Sequence, residues 1–283
     1  MSGLVGLVLA GGAADQVGVE PFFMELIAGM EEALGPHGAS VLLLVVPDRE
    51  AELAAYDRWA AGRTVAAVVV VNLVRRDVRP GHLASLGLPA VLAGRGDELF
   101  SRVITDDAAA MTAAIDALIA LGHRDIGRVS GPTTLIHTAE RSATLSAAAG
   151  VRVTEVEGDY SSASGVRGIR ALLSADPPPT AVIFDNDVMA VAAEQELTRA
   201  GIAVPAQISL LACDDSPLCE LATPPLSALS KNVHEHGLIL GDAVLAVLAG
   251  APPEDREGPA VRIQLRDSTG PAPARAGGGR AEG

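Results

Sequence analysis

Thr180-Ala-Val-Ile-Phe-Asp-Asn-Asp187, the segment Val188 to Ala200, and Ile208-Ser-Leu-Leu-Ala-Cys-Asp-Asp-Ser-Pro217 together decide the fold. The first run is apolar as far as Phe184 and then breaks into Asp185, Asn186 and Asp187. Met189, Ala193, Leu197 and Ala200 recur at helical spacing until Gly201 stops the pattern, and Pro205 marks a turn. The second apolar run ends in Asp214 and Asp215. This spacing predicts a strand, a helix N-capped by Asp187, and a parallel strand. Both strands run from apolar to acidic or amide residues. Ligands of open parallel sheets bind outside the carboxyl ends of the strands, so Asn186 and Asp214 are expected to face one crevice.

The alternation continues in both directions. Leu4 to Ala10 is an unbroken apolar run, as a strand buried on both faces requires. Gly11 to Glu20 reads as a loop. Pro21 opens a helix at its favoured first position, with Phe22, Leu26, Ile27, Met30 and Leu34 at helical spacing. Strands are expected over 41–46, 65–71, 89–93 and 102–105, and helices over 50–61, 80–86 and 108–121. The pattern repeats with strands over 125–130 and 151–156 and helices over 138–149 and 164–173. After the central unit come a strand over 226–230, a helix over 233–248 and a strand over 260–265. Gly270 to Gly283 is rich in Gly, Pro, Ala and Arg without apolar periodicity, and is expected to be a disordered tail.

Strand and helix alternation implies α/β architecture with parallel sheets and helices on both faces. The strands are too many for one sheet of ordinary size. Two doubly wound parallel-sheet lobes, split near Gly122-His123, fit better. Residues 1–122 with 232–258 form the expected N-terminal lobe, and 123–231 with 259–269 the C-terminal lobe. The last helix and strand follow a completed second sheet, and their return to the first lobe would interweave the two.

Composition removes several functions. The 283 residues are 49% hydrophobic, which supports real cores, and the formal net charge is −14. So acidic a chain is not expected to hold nucleic acid through phosphate contacts, whereas a small polyhydroxylated ligand is compatible with it. Cys213 and Cys219 are the two cysteines, too few for a disulfide framework or a four-ligand zinc site. Reduced thiols, no apolar run of ~18 residues and no basic secretory leader give the expectation of a cytoplasmic protein without membrane contact. No Gly-x-Gly-x-x-Gly follows the first strand, no Gly-x-Ser-x-Gly elbow occurs, and no phosphate loop is present. Neither an enzyme nor a cofactor is expected.

Several strand ends carry groups suited to a polyol. Glu20, Phe22 and Asp106 belong to the first lobe, and Arg141, Tyr160, Asn186 and Asp214 to the second. A guanidinium can fork two adjacent hydroxyls, carboxylates accept from them, and an aromatic face covers the apolar side of a sugar or base. The chain has four Phe, two Tyr and one Trp, yet Phe22, Phe23, Tyr160 and Phe184 all lie at strand ends or in the helix facing them. Plainer readings exist for each. Phe22 and Phe23 can be core, Asp187 a helix cap, and Arg141 a salt-bridge partner of Glu140 or Asp185. His234 and His236, two apart, do not share a helix face and read as surface residues. His123 follows a helix end, where a cation suits the dipole.

A series of motifs carries a resemblance. It comprises Pro21-Phe-Phe23, Ala120-Leu-Gly-His-Arg-Asp-Ile126, Gly131-Pro132, Ala139-Glu-Arg141, Glu157-Gly-Asp-Tyr160 and Pro179 through Asp187. Val204-Pro-Ala-Gln-Ile-Ser209, Asp214-Asp-Ser-Pro217, Thr223-Pro-Pro-Leu226 and Arg266-Asp-Ser-Thr269 complete it. In this order and spacing the chain resembles the effector-binding portion of LacI/GalR-family transcription regulators, relatives of periplasmic sugar-binding proteins. The resemblance implies a two-lobed fold of the type I periplasmic binding protein kind, joined by three crossing hinge segments. It also implies that residues matching Arg141 and Asp214 hold effector hydroxyls, that Asn186 adds hydrogen bonds, and that Phe22 and Tyr160 line the cleft. The family's helix-turn-helix has no counterpart before Leu4. Thr144 and Leu145 stand where the family has a glycine and an aromatic residue, and Ser230-Lys231-Asn232 replaces an Arg-Gln or Lys-Gln pair.

The implied function is an effector-binding module, with a sugar as effector, no metal and no cofactor. Cleft closure would act on a homodimer, and operator DNA would be reached only through the N-terminal domain that this sequence does not contain. The alternative is the solute-binding protein of a sugar transporter.

Overall fold

The computed structural model describes residues 3–11 and 20–274. Its first elements are β1 (Gly3–Ala10), α1 (Pro21–Leu34), β2 (Ala39–Val46), α2 (Arg49–Gly62), β3 (Ala67–Val70), α3 (Arg79–Ser85), β4 (Ala90–Ala93) and β5 (Ser101–Ile104). Then follow α4 (Asp107–Ala120), β6 (Asp125–Ser130), α5 (Ile136–Ala147), β7 (Arg152–Glu157), α6 (Ser162–Leu173), β8 (Ala181–Phe184), α7 (Asp187–Arg199) and β9 (Ser209–Ala212). The last are α8 (Pro217–Leu221), β10 (Ser227–Ser230), α9 (Val233–Leu248), β11 (Asp255–Glu257) and β12 (Arg262–Gln264).

The strands form two six-stranded sheets, ordered β2-β1-β3-β4-β5-β11 and β7-β6-β8-β9-β10-β12. The first sheet is parallel throughout, and the second is parallel from β7 to β10. The chain thus has the doubly wound α/β lobes expected from its alternation. One compact unit holds the residues up to Met111, Pro132–Thr144 and Ser230–Arg262. The other holds Thr112–Gly131, Leu145–Leu229 and the residues from Ile263 onward.

Alternate residues of the first sheet feed two cores. Val5, Leu7, Val69 and Val91 pack with Phe23, Leu26 and Met30 of α1 and with Leu240 and Val244 of α9. Val8, Val68, Val70 and Leu92 pack on the opposite face with Tyr56 and Trp59 of α2 and Leu83 of α3. This two-sided burial is why these strands read as unbroken apolar runs. In the second unit, Val129, Val182, Phe184 and Leu210 pack with Ile169 of α6 and with Met189, Ala193 and Leu197 of α7.

The late helix α9 joins the first unit because glycines let it approach α1. A Cβ at Gly29 would fall 1.9 Å from the His234 carbonyl oxygen, and one at Gly237 2.2 Å from that of Leu26. The last strand does not follow it: β12 joins the second sheet. The segment between them supplies β11, a strand that no apolar run marks in the sequence. Arg102 draws β11 onto β5, with Nε 2.7 Å from Asp255 Oδ1.

Other boundaries differ from expectation. Pro132–Thr144 goes with the first unit because Ile136 N–H donates to the Leu73 carbonyl at 2.9 Å and Arg141 pairs with Asp107. The N-cap of α7 is Asn186, not Asp187: its Oδ1 accepts from Met189 N–H at 2.9 Å, and Asp187 is the first helical residue. Residues 270–274 are held: Gly270 C=O lies 3.1 Å from His123 Nε2, and Ala272 N–H donates to Leu121 C=O at 2.8 Å. The rest of the expected tail, 275–283, and residues 12–19 of the expected first loop lie outside the described residues.

Candidate functional site

In each sheet the strand order reverses at one point, where β1 sits between β2 and β3 and where β6 sits between β7 and β8. Such switch points leave a crevice outside the carboxyl ends of the strands. Most of the residues singled out in the sequence follow these strand ends.

In the second unit, β6 leads to Gly131, β7 to Tyr160, β8 to Asp185, Asn186 and Asp187, and β9 to Asp214. Tyr160 is half-buried with φ +67, a left-handed conformation that costs a non-glycine residue about 1 kcal/mol or more. It is held there because its carbonyl accepts from Asn186 Nδ2 at 3.0 Å. Asn186 is buried, one end of its amide capping α7 and the other fixing Tyr160. The Tyr160 ring lies against Gly131, where a Cβ would fall 2.2 Å from Cζ and Oη. Asp187 accepts from Ser216 N–H at 3.2 Å, linking the corners that follow β8 and β9. Burial and the neighbouring Asp214 carboxylate both push the Asp187 carboxyl above the usual range. Asp214 itself is half-buried. Phe184 ends β8 as a fully buried core residue.

In the first unit, Arg141 Nε and Nη2 donate to Asp107 Oδ1 at 2.8 and 2.6 Å. Asp107 is thus a close partner of Arg141 that the plainer sequence reading, a salt bridge to Glu140 or Asp185, did not include. Burial alone would raise the Asp107 carboxyl, but Arg141, with Lys231 and His137, outweighs it and holds that group below the usual carboxylate range. Its neighbour Asp106 is exposed and accepts from Ala109 N–H at 2.9 Å, in N-cap geometry for α4. Glu20 is half-buried and precedes α1, its carbonyl accepting from Phe23 N–H at 3.0 Å. Phe22 is half-buried and packs edge-to-face on the buried Phe23, ring centres 5.3 Å apart. A hollow of about 310 Å³ lies beyond β3 and β4, with Leu73 and Ile136 among apolar linings and Arg75, Arg76 and Arg95 among polar ones. Arg95 Nε is 3.4 Å from Glu140, next to Arg141 on α5.

Two of the three histidines singled out in the sequence, His236 and His123, depart from their reading. His236 is 9% exposed, and burial, then Lys231, lowers its pKa to about 4. His234 remains at the surface, with Nε2 2.9 Å from Glu32. His123 is fully buried between Thr180 Oγ1 and the Gly270 carbonyl, and burial lowers its pKa, so it is a neutral tie and not a cationic cap. Among the described residues no group of three or more His, Cys, Asp or Glu is arranged to hold a metal ion. Among the same residues no helix is long and apolar enough to cross a membrane.

Sequence reasoning missed Asp107, Gly131 as a packing partner of Tyr160, and the pair Arg128–Asp185. A signal for the last was present. Arg128 interrupts an apolar strand, and a charge there needs a partner at the same depth.

The family model described as a periplasmic binding protein-like domain matches residues 115–269, more than half of the chain. A solved LacI family transcriptional regulator from Bifidobacterium animalis subsp. lactis is 33% identical, with TM-score 0.85 over 95% of this chain and 98% of that one. The chain belongs to the LacI family. Within it, the HTH-type transcriptional regulator CelR of Thermobifida fusca is 31% identical over 222 residues, 75% of this chain and 65% of CelR. This LacI-family chain thus spans a little under two thirds of that relative's length. The solved complex of CelR with cellobiose matches at TM-score 0.83 and 27% identity, over 94% of this chain and 84% of that one. The relatives are transcriptional regulators, and this chain is an effector-binding domain of the LacI type.

Proposed function

We propose that this domain senses a sugar or a related small polyhydroxylated molecule, using Glu20, Phe22, Asp106 and Arg141 from one unit and Tyr160, Asn186 and Asp214 from the other. The observation that carries the reading is the second switch point. There an aromatic ring, a buried amide and two carboxylates follow neighbouring strands, the combination that an apolar sugar face and its hydroxyl rim require. The cellobiose complex of CelR supports a sugar as the ligand class.

A ligand that engages groups of both units binds only conformations in which both sets are within reach, and shifts the population toward them. In a cytoplasmic homodimer, that shift would change how DNA-reading domains joined to the two copies meet an operator. The acidic chain itself does not bind the operator.

A thermal-shift screen with cellobiose, other sugars, sugar phosphates and nucleosides tests the reading. A ligand at a hundred times its Kd stabilises the folded chain by about 2.7 kcal/mol. Arg141→Ala and Asp214→Ala should each remove the ligand-induced part of the shift. Undiminished shifts in both variants would refute the assignment of the site.

A further inference from the structure

Arg128 stands within β6 and is fully buried. A guanidinium at that depth must have its donors met, and here they are met sideways. Nε and Nη2 donate to Asp185 Oδ1 and Oδ2 at 2.8 and 2.7 Å, and Nη1 donates to Glu155 Oε2 at 2.8 Å. Glu155 is the register partner of Arg128 on β7, and Asp185 directly follows β8. One side chain therefore ties the three adjacent strands β7, β6 and β8.

Each of those strands leads into a group at the switch point. Gly131 follows β6, Tyr160 follows β7 and Asn186 follows β8. The tie reaches all three. Asp185 Oδ2, already engaged by Arg128, also accepts from Gly131 N–H at 2.9 Å. Gly131 sits against the Tyr160 ring with no room for a Cβ. Asn186, next to Asp185 in the chain, holds the Tyr160 carbonyl.

We propose that the Arg128–Asp185 pair is a positioning device that sets the mutual placement of Gly131, Tyr160 and Asn186. It thereby tunes effector affinity without touching the effector. The second half of this claim rests on the reading of these strand ends as the effector site. Stability alone does not call for the pair, because buried ion pairs replaced by apolar residues of similar volume often leave stability unchanged or raised. An apolar pair cannot accept the Gly131 N–H.

Two double variants separate positioning from stability. Arg128→Met with Asp185→Leu removes the ion pair and the acceptor, and leaves Glu155, 28% exposed, to water. Arg128→Gln with Asp185→Asn removes the charges and keeps a carbonyl acceptor for Gly131. In amide NMR of the 283-residue chain, Gly131 in the Met/Leu form should exchange roughly tenfold to a hundredfold faster, with shifted Tyr160 resonances. The Gln/Asn form should stay near wild type. A folded Met/Leu chain with unchanged Gly131 and Tyr160 signals overturns the proposal. So does a Gln/Asn chain that loses Gly131 protection, which decides the matter if the Met/Leu chain does not fold.

Titration with cellobiose, glucose 6-phosphate and adenosine adds the binding arm. A probe that binds wild type should bind the Met/Leu chain roughly tenfold more weakly or worse. Equal affinities overturn the link to affinity. If wild type binds none of the three, the effector reading loses its support, while the amide signals still decide the positioning.

Discussion

Arg141→Leu isolates the buried pair in the first unit. The substitution removes both donors to Asp107 Oδ1 while keeping an apolar stem. It leaves a carboxylate 9% exposed without its main counter-charge. Removing one partner of a buried ion pair costs about 3–5 kcal/mol. Lys231 and His137 also favour the charged form of Asp107, so a loss near the lower end, about 3 kcal/mol at pH 7, is expected. The pH dependence carries a second signature. In wild type the Asp107 carboxyl is held low, so it adds stability that is present above its unfolded pKa, ~3.9, and lost as pH falls through its lower folded value. In the variant burial prevails and the carboxyl is pushed up. It then subtracts stability at neutral pH, and the deficit fades as acid protonates it. The gap between the two chains should therefore narrow steadily from pH 7 to about pH 4. Urea unfolding followed by Trp59 fluorescence reads this directly, since Trp59 is the one tryptophan and is buried in the same unit. A gap below about 1 kcal/mol at pH 7, or one that does not change with pH, would refute the reasoning.

Two further outcomes test the second switch point. Gly131→Ala puts a methyl where the Tyr160 ring lies, so a stability loss of about 1–3 kcal/mol is expected. Tyr160 resonances should move with it, and an unshifted Tyr160 would show that the contact is not tight. Asn186→Ala removes the α7 cap and the donor to the Tyr160 carbonyl together. It should cost about 2 kcal/mol or more in urea denaturation, beyond the ~1 kcal/mol of a cap alone. A loss no larger than that of Ser161→Ala, the α6 cap, would mean that Tyr160 needs no such support.

The strand ends were legible because they depend on local pattern. An apolar run that breaks into Asp185-Asn-Asp187, followed by helical spacing and a second run ending in Asp214, is a strand–helix–strand unit whatever surrounds it. The adjacency of β8 and β9 then follows from the short crossover. Helix caps were less legible. Asn186 and Asp187 are both good caps by type, and the choice fell to the residue whose side chain could reach Met189 N–H and Tyr160 at once. His236 misled for a related reason. Sequence shows which helix face a residue is on, but not that α9 turns His236 inward on the first unit.

The amino-acid order by itself determined two doubly wound sheets, the return of polar residues at their carboxyl ends, and an acidic chain with a formal net charge of −14. Only the tertiary structure decided the partner of each buried charge. Arg141 finds Asp107 across 34 positions of chain, and Arg128 finds Asp185 across 57. Coulomb and hydrogen-bond energies depend on distance in space, and which strands and helices become neighbours is fixed by the packing of apolar faces far from the charges themselves.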